Sequence, residues 1–255
     1  MKLLQSFVIA SALYSKIPMP QVEWNRDNMR YVMCFFPAIG AVTGLCVWLA
    51  GQYLLKSHCG TMFSSVLLTL IPVVINGGIH LDGFMDTMDA LSSYGDREKK
   101  LAILKDSHAG AFAILGLCCY MLLMAALWSE VTIGMLPLIS LGYVLSRALS
   151  GFSIVMFPAA RDSGLARTFQ DGANRRRTGV VMTGWAVLAV GAMMVISPVM
   201  AAAAVSCAGL VFIYYRNVSM KQFGGITGDL AGYFLQLCEL GMLIGIVLTG
   251  GIGWS

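Results

Sequence analysis

From Gly179 to Tyr215 the chain carries no Asp, Glu, Lys or Arg. A water-soluble domain has no use for so long an uncharged stretch. A lipid bilayer does, because a helix crossing its ~30 Å hydrocarbon core needs about 20 mostly apolar residues. The run is too long for one crossing, and Ser197-Pro198 falls near its middle, so it reads as a hairpin of two spans. Apolar runs of spanning length recur at Tyr31–Leu55, Thr61–Ile79, Gly110–Trp128, Val131–Phe157 and Gly232–Gly250. Only helices satisfy their own backbone hydrogen bonds in lipid without closing into a barrel. The sequence therefore predicts an all-α, polytopic transmembrane helix bundle of about seven spans (six to eight), with residues 1–255 forming one integral membrane domain. Composition agrees. Hydrophobic residues make up 58% and charged residues 12%, against about a quarter charged in soluble domains, and the mean hydropathy is +0.76.

Charge placement predicts orientation. Of the 17 lysines and arginines, Arg147 lies within a span and Lys56 in a loop on one side. All the others fall in segments 1–30, 80–109, 158–178 and 216–231, which seven crossings place on the opposite side. The positive-inside rule assigns that side, with the N-terminus, to the cytoplasm. A net charge of +4 is explained by this asymmetry and gives no reason to expect nucleic acid as a partner. The seven cysteines are scattered through apolar runs without a C-x-x-C pair, which argues against a zinc site or a disulfide framework. Lys2, a short apolar run and Ala10-Ser11-Ala12 imitate a signal peptide. Cleavage there would leave only about a dozen residues, shorter than the usual 15–30, so an uncleaved N-terminal amphipathic helix is expected. His58 reads as an exposed loop residue.

The densest chemical signal is Gly77-Gly78-Ile79-His80-Leu81-Asp82-Gly83-Phe84-Met85-Asp86-Thr87-Met88-Asp89. At 100° per residue, Asp82, Asp86 and Asp89 fall within about 60° of arc on one helix face. His80 lies on the opposite face. Like charges so spaced repel, and acids at the end of an apolar span need compensation. A hard divalent cation such as Mg²⁺, Mn²⁺ or Ca²⁺ supplies it through carboxylate oxygens. The alternative, a plain solvated face, fits poorly with Phe84, Met85 and Met88 between the acids.

A second signal is Lys105-Asp106-Ser107-His108-Ala109-Gly110 before the third span. Asp106 is a candidate fourth metal ligand. Lys105, Ser107 and the backbone near Gly110 are candidate phosphate contacts, although Asp or Ser before an apolar run also reads as an ordinary helix cap. A third is Gly224-Gly225-Ile226-Thr227-Gly228-Asp229 before the last span. It is a glycine-rich turn suited to anions or, more plainly, a turn with a cap. Arg147 and Glu239 are intramembrane ions, which usually face the bundle interior. They read as a phosphate contact with an orienting partner, or as a structural pair. Together these residues suggest metal-assisted handling of a phosphate or diphosphate at the cytoplasmic membrane surface.

The run from Gly77 to Asp89, with Lys105–Gly110, Ser146-Arg147 and Gly224–Asp229, resembles the adenosylcobinamide-GDP ribazoletransferase (cobalamin synthase) family. Ile17-Pro18-Met19-Pro20, Phe36-Pro37 and Ile39-Gly40 extend the likeness over nearly the whole chain. The resemblance implies a multi-pass protein of the cell inner membrane. Its substrates would be adenosylcobinamide-GDP and α-ribazole or α-ribazole 5′-phosphate. A hydroxyl of the latter attacks the cobinamide-side phosphorus, GMP leaves, and adenosylcobalamin or its phosphate forms. Mg²⁺, with Mn²⁺ as an alternative, is the implied cofactor. Asp82, Asp86, Asp89 and Asp106 are the implied catalytic and metal-holding residues. Lys105, Ser107, His108, Gly110, Arg147, Gly225, Thr227, Gly228, Asp229 and Glu239 are the implied substrate contacts. The chain departs from the family pattern at His108, where relatives often have Arg, and at Gln236, where they often have a second Glu.

Two other readings compete. CDP-alcohol phosphotransferases acting on lipids share the chemistry, but their D-G-x-x-A-R motif would require an arginine where Asp82-Gly83-Phe84-Met85-Asp86-Thr87 has none. An ion-coupled transporter would place its acids at mid-membrane on broken helices, often in two repeat halves. Here the acids stand at span ends on one side, and no internal repeat is found.

Overall fold

Proline and glycine set the helix boundaries. The computed structural model describes residues 2–23, 26–57 and 59–251, so the expectation for His58 lies outside the described residues. The elements are α1 (Lys2–Tyr14), α2 (Arg26–Met29), α3 (Phe36–Leu54), α4 (Thr61–Asn76), α5 (Ile79–Ser92), α6 (Arg97–Ile103), α7 (Ala111–Ser129), α8 (Leu136–Met156), α9 (Leu165–Gly172), α10 (Arg175–Ile196), α11 (Pro198–Val218) and α12 (Gly228–Gly250). α3, α8 and α11 each have proline in the first turn, where its missing N–H costs nothing and its fixed φ suits a helix. Ser197 alone separates α10 from α11, in extended conformation, so the hairpin breaks where the sequence places it.

Among the described residues six helical segments are long and apolar enough to cross a membrane, or seven if the bent pair α4–α5 counts as one. The chain is a polytopic helical membrane protein. Apolar side chains such as Leu49, Met62, Val74, Leu122, Val187, Val195 and Leu210 point outward, as lipid contact requires. The segments Ile133–Met156 and Gly228–Gly250, which contain α8 and α12, form the centre, with 78% and 72% of their apolar windows buried, whereas those of α7, α10 and α11 are 22% buried. Close approach at the centre depends on glycine. A Cβ on Gly40 or Gly44 of α3 would lie 2.3 or 2.4 Å from the carbonyl oxygens of Tyr143 and Ser140 on α8.

Two features refine the expectations. The second apolar run does not continue straight to Ile79. Gly77 and Gly78 both take left-handed conformations, φ 63° and 78°, and turn the chain by 97° between α4 and α5. Two successive positive φ values are affordable only for glycine. The N-terminal helix is present, but Ser6 and Ser11 face inward while Leu3 and Leu4 are exposed. Its exposed face thus carries leucines, not the polar side chains an amphipathic helix would turn to water.

Candidate active site

The 97° turn sends α5 away from the line of α4 and lays it against α12 and α7. Gly83 makes the approach to α12 possible: a Cβ there would sit 2.7 Å from the Asp229 carbonyl oxygen and 2.8 Å from its Cα. One turn along, a Cβ on Gly232 would sit 3.0 Å from the His80 carbonyl oxygen. Two helices that touch backbone to backbone put Asp82, in the first turn of α5, beside Asp229, in the first turn of α12. Both side chains border one cavity of about 130 Å³. Acids from distant parts of the sequence thus form one cluster at two helix N-termini, where the helix dipoles favour negative charge.

The cluster perturbs its members. Asp86 is half-buried, and desolvation, then the charges of Asp82, Asp229, Asp89 and Asp106, push its carboxyl up to about 6. Asp89 has a different neighbourhood. Its two oxygens accept the backbone N–H groups of Gly110 (2.5 Å) and Ala113 (2.8 Å). The cap of α7 therefore comes from α5 and not from Asp106 or Ser107. Lys105, Asp106, Ser107 and His108 lie on an exposed loop between α6 and α7. There Asp106 accepts from the His108 backbone at 3.0 Å and contacts its Nδ1 at 2.8 Å. The His108 side-chain bond is the main cause holding the Asp106 carboxyl below its ordinary value.

The glycine-rich turn is held from outside. Ala160 N donates to Ile226 O and Ile226 N to Pro158 O, each at 2.9 Å, forming a short parallel bridge in which Gly225 packs against the backbone of Pro158–Ala160. Thr227 caps α12, accepting from Leu230 N at 3.2 Å and donating to Asp229 Oδ2 at 3.3 Å. The bridge fixes Arg161 near Asp229, and its Nη2 also donates to Leu101 O. Burial pulls the Arg161 guanidinium below its usual value, and Asp229 opposes that pull. Arg161, Arg167, Ser163, Thr227, Gly228 and Asp229 border a second, arginine-lined cavity of about 230 Å³. Arg161 and Arg167 were not singled out in the sequence. A loop arginine such as Arg161 has no periodicity to mark it, Arg167 lies in the short helix α9, and the Ala159–Ile226 bridge holds the segment before Arg161 against the turn before Asp229.

Arg147 and Glu239 form a buried ion pair between α8 and α12. Arg147 Nη1 also donates to Ser146 Oγ (2.9 Å) and Tyr143 O (3.3 Å), and Ser146 Oγ donates to Glu239 at 3.1 Å. Arg147 is fully buried and its Nη1 pairs with Glu239, while its Nε and Nη2 have no hydrogen-bond partner among the described residues, so the structural pair and the phosphate contact both remain open. Among the described residues no three His, Cys, Asp or Glu side chains converge at metal-ligand distance.

These features, acids meeting at the starts of α5 and α12 with an arginine cavity beside them, set the context for comparison with known proteins. The family model described as cobalamin-5-phosphate synthase matches residues 6–247, from α1 to the last turn of α12. The chain belongs to this family. It is 45% identical over 254 residues to the adenosylcobinamide-GDP ribazoletransferase of Lachnoclostridium phytofermentans, covering 99% of this chain and 97% of that one. It is 34% identical to proteins of the same name from Clostridium perfringens strain 13 (94% of each chain) and Pseudomonas putida strain W619 (95% of this chain, 98% of that one). No solved structure matches. Every element of the acid cluster and of the arginine cavity lies inside the part matched by the cobalamin-5-phosphate synthase family.

Proposed function

We infer that this membrane protein is an adenosylcobinamide-GDP ribazoletransferase, the enzyme of the last assembly step of cobalamin. The observation that carries the site assignment is the Gly83–Asp229 contact, which joins the acids of α5 to the start of α12 and to the arginine cavity. A hydroxyl oxygen of α-ribazole, or of its 5′-phosphate, forms a new bond to the cobinamide-side phosphorus. The bond from that phosphorus to the bridging oxygen breaks, and GMP departs with the electron pair. The hydroxyl proton passes to a carboxylate of the cluster. Asp86 suits that task best, since a base works best with a pKa near the operating pH and its carboxyl is pushed up to about 6. Arg161 and Arg167 border the second cavity, Arg167 with its Nε paired to Asp171 Oδ2 at 3.1 Å, and their remaining guanidinium donors suit diphosphate oxygens.

The donor set fits a hard divalent cation. Asp82, Asp86, Asp89 and Asp106 offer only oxygen, and their mutual repulsion, visible at Asp86, favours bound positive charge. The lack of three converging ligands among the described residues is compatible with Mg²⁺, which keeps several waters and takes one or two carboxylates together with substrate phosphates. When bound, Mg²⁺ or Mn²⁺ supplies Lewis-acid stabilisation of the phosphoryl oxygens and of the departing charge. The basic loops support a cytoplasmic location for this face by the positive-inside rule.

The test is direct. Purified protein in detergent, given adenosylcobinamide-GDP and α-ribazole, should release GMP and form adenosylcobalamin in equal amounts without an ion gradient. No GMP from folded protein supplied with both substrates and Mg²⁺ would overturn the assignment.

A further inference from the structure

The cavity of about 130 Å³ beside Asp82 and Asp229 differs in kind from its arginine-lined neighbour. Its deep walls are Tyr14 from α1, Phe36 from α3, His80 from α5 and Phe169 from α9, with Ser150 of α8. The Tyr14 ring lies nearly parallel to Phe169 (27°, centroids 6.2 Å apart) and to His80 (25°, 6.3 Å). Phe36 meets His80 edge-on, at 62° and 6.0 Å. Four rings from four helices pack against one another and form an aromatic wall of the slot, held at one corner by the Gly232–His80 backbone contact.

Two polar atoms at this slot have no protein partner. His80 Nε2 and Ser150 Oγ are both unsatisfied, in residues 5% and 0% exposed. Leaving such a group buried and unmet costs about 1–3 kcal/mol, so each is a donor or acceptor awaiting an occupant. An apolar cavity of ~150 Å³ is known to take up benzene, so this space is large enough to admit an aromatic ring. A flat, mostly apolar occupant with one polar atom, such as a ring nitrogen that accepts a hydrogen bond, meets both features. Its other end reaches the mouth, where Asp82 and Asp229 stand. Asp229 also borders the arginine cavity, so whatever emerges from the slot arrives between the acids and the space suited to phosphates.

We propose that this slot holds the heteroaromatic base of the nucleophilic nucleoside, its rings packed against the wall of Tyr14, Phe36 and Phe169, its free ring nitrogen accepting from Ser150 Oγ or His80 Nε2, and its ribose hydroxyls presented to Asp82 and Asp229. This rests on the transferase reading above and adds to it which substrate takes which cavity. α-Ribazole, a benzimidazole nucleoside, meets the description with one free ring nitrogen and an otherwise apolar fused ring. Guanine does not. Its edge carries a carbonyl, an amine, an N–H and a ring acceptor, and two protein polar atoms cannot satisfy them all. The guanine nucleotide and its diphosphate belong on the arginine side. Tyr14, Phe36, Ser150 and Phe169 are thus specificity residues for the base, drawn from helices that contribute nothing to the acid cluster.

The test separates the two substrates. In the full-length protein in detergent, Ser150→Ala removes one polar atom without changing the shape of the slot, and Phe169→Leu removes one wall. Each should raise the KM for α-ribazole about tenfold and leave the KM for adenosylcobinamide-GDP within about twofold. Benzimidazole itself should inhibit competitively against α-ribazole and noncompetitively against adenosylcobinamide-GDP, and should bind the wild type in equilibrium dialysis more tightly than either variant. A rise in the KM for adenosylcobinamide-GDP alone would assign the slot to the other substrate and overturn the proposal. Unchanged kinetics in folded Ser150→Ala, with benzimidazole binding equally to wild type and variants, would also overturn it and leave the slot to a lipid chain. If the wild type released no GMP at all, the transferase reading would fail by itself, while dialysis with benzimidazole would still report on the slot.

Discussion

Replacing Gly83 by alanine tests the helix contact on which the site depends. The added Cβ would lie 2.7 Å from Asp229 O and 2.8 Å from Asp229 Cα, whereas carbon contacts settle near 3.5–4.0 Å. The obstructing atoms are backbone, so no rotamer change relieves them, and α5 must withdraw from α12 by roughly 0.7–1 Å. Overpacking of this kind costs about 1–3 kcal/mol of stability. A misplacement of about 1 Å costs on the order of a hundredfold in rate. The effect should be graded along the same interface. Gly232→Ala, with 3.0 Å to His80 O, demands a smaller shift, and Gly228→Ala meets nothing within 4 Å. Thermal unfolding of the three variants in detergent should rank Gly83→Ala well below Gly232→Ala, with Gly228→Ala near wild type in Tm, and GMP release should be lower in Gly83→Ala than in Gly232→Ala. Wild-type turnover by Gly83→Ala would refute the idea that backbone contact between α5 and α12 assembles the site.

Three further outcomes are expected. Arg147→Met leaves Glu239 buried beside no cation, which should destabilise by about 3–5 kcal/mol, whereas Arg147→Met combined with Glu239→Gln should regain most of the lost Tm; no recovery in the double variant would contradict a mainly structural pair. Asp89→Asn loses one of the two charge-assisted caps on α7, about 1.5–3 kcal/mol, so its Tm should fall without substrate or cation while that of Asp82→Asn, at an exposed position, should not. The third is a pH dependence. The Asp86 carboxyl is raised from 3.8 to about 6 in the folded protein, so the fold disfavours its ionised form. Cation-free stability should therefore fall as pH rises from about 4 to about 6 and level off above, by linkage. Mg²⁺ should restore stability above that window and not below it. Thermal scans across pH with and without Mg²⁺ check this, and a profile unchanged by Asp86→Asn would count against it.

The parts of the molecule written in local pattern were readable from the sequence. Apolar runs gave the spans, the Ser197-Pro198 break gave the α10–α11 hairpin, and the i, i+4, i+7 spacing put Asp82, Asp86 and Asp89 on one face of a real helix. What was not readable depends on approach between distant segments. Gly77 and Gly78 stood out as a motif, but that both are left-handed and turn the chain by 97° follows from how α5 docks on α12. The capping of α7 by Asp89 joins residues more than twenty positions apart. α9 falls in a segment read as loop, since an eight-residue helix has little stability of its own and is held by burial of Phe169. Arg161, Arg167 and the rings of Tyr14, Phe36 and Phe169 come together only in the folded bundle.

The central claim is that the carboxylates of α5, with a divalent cation, form the reacting centre of a ribazoletransferase. GMP release from adenosylcobinamide-GDP by purified wild type, Asp82→Asn and Asp86→Asn across an Mg²⁺ titration tests it most directly. Asparagine keeps the shape, removes the charge and is a poorer ligand for a hard cation. The account predicts that wild-type release stops with EDTA and returns with Mg²⁺ or Mn²⁺. It also predicts that each variant, still folded, turns over at least about a hundredfold more slowly, roughly 2.7 kcal/mol of barrier. Near-wild-type turnover with unchanged metal dependence in both variants would contradict it.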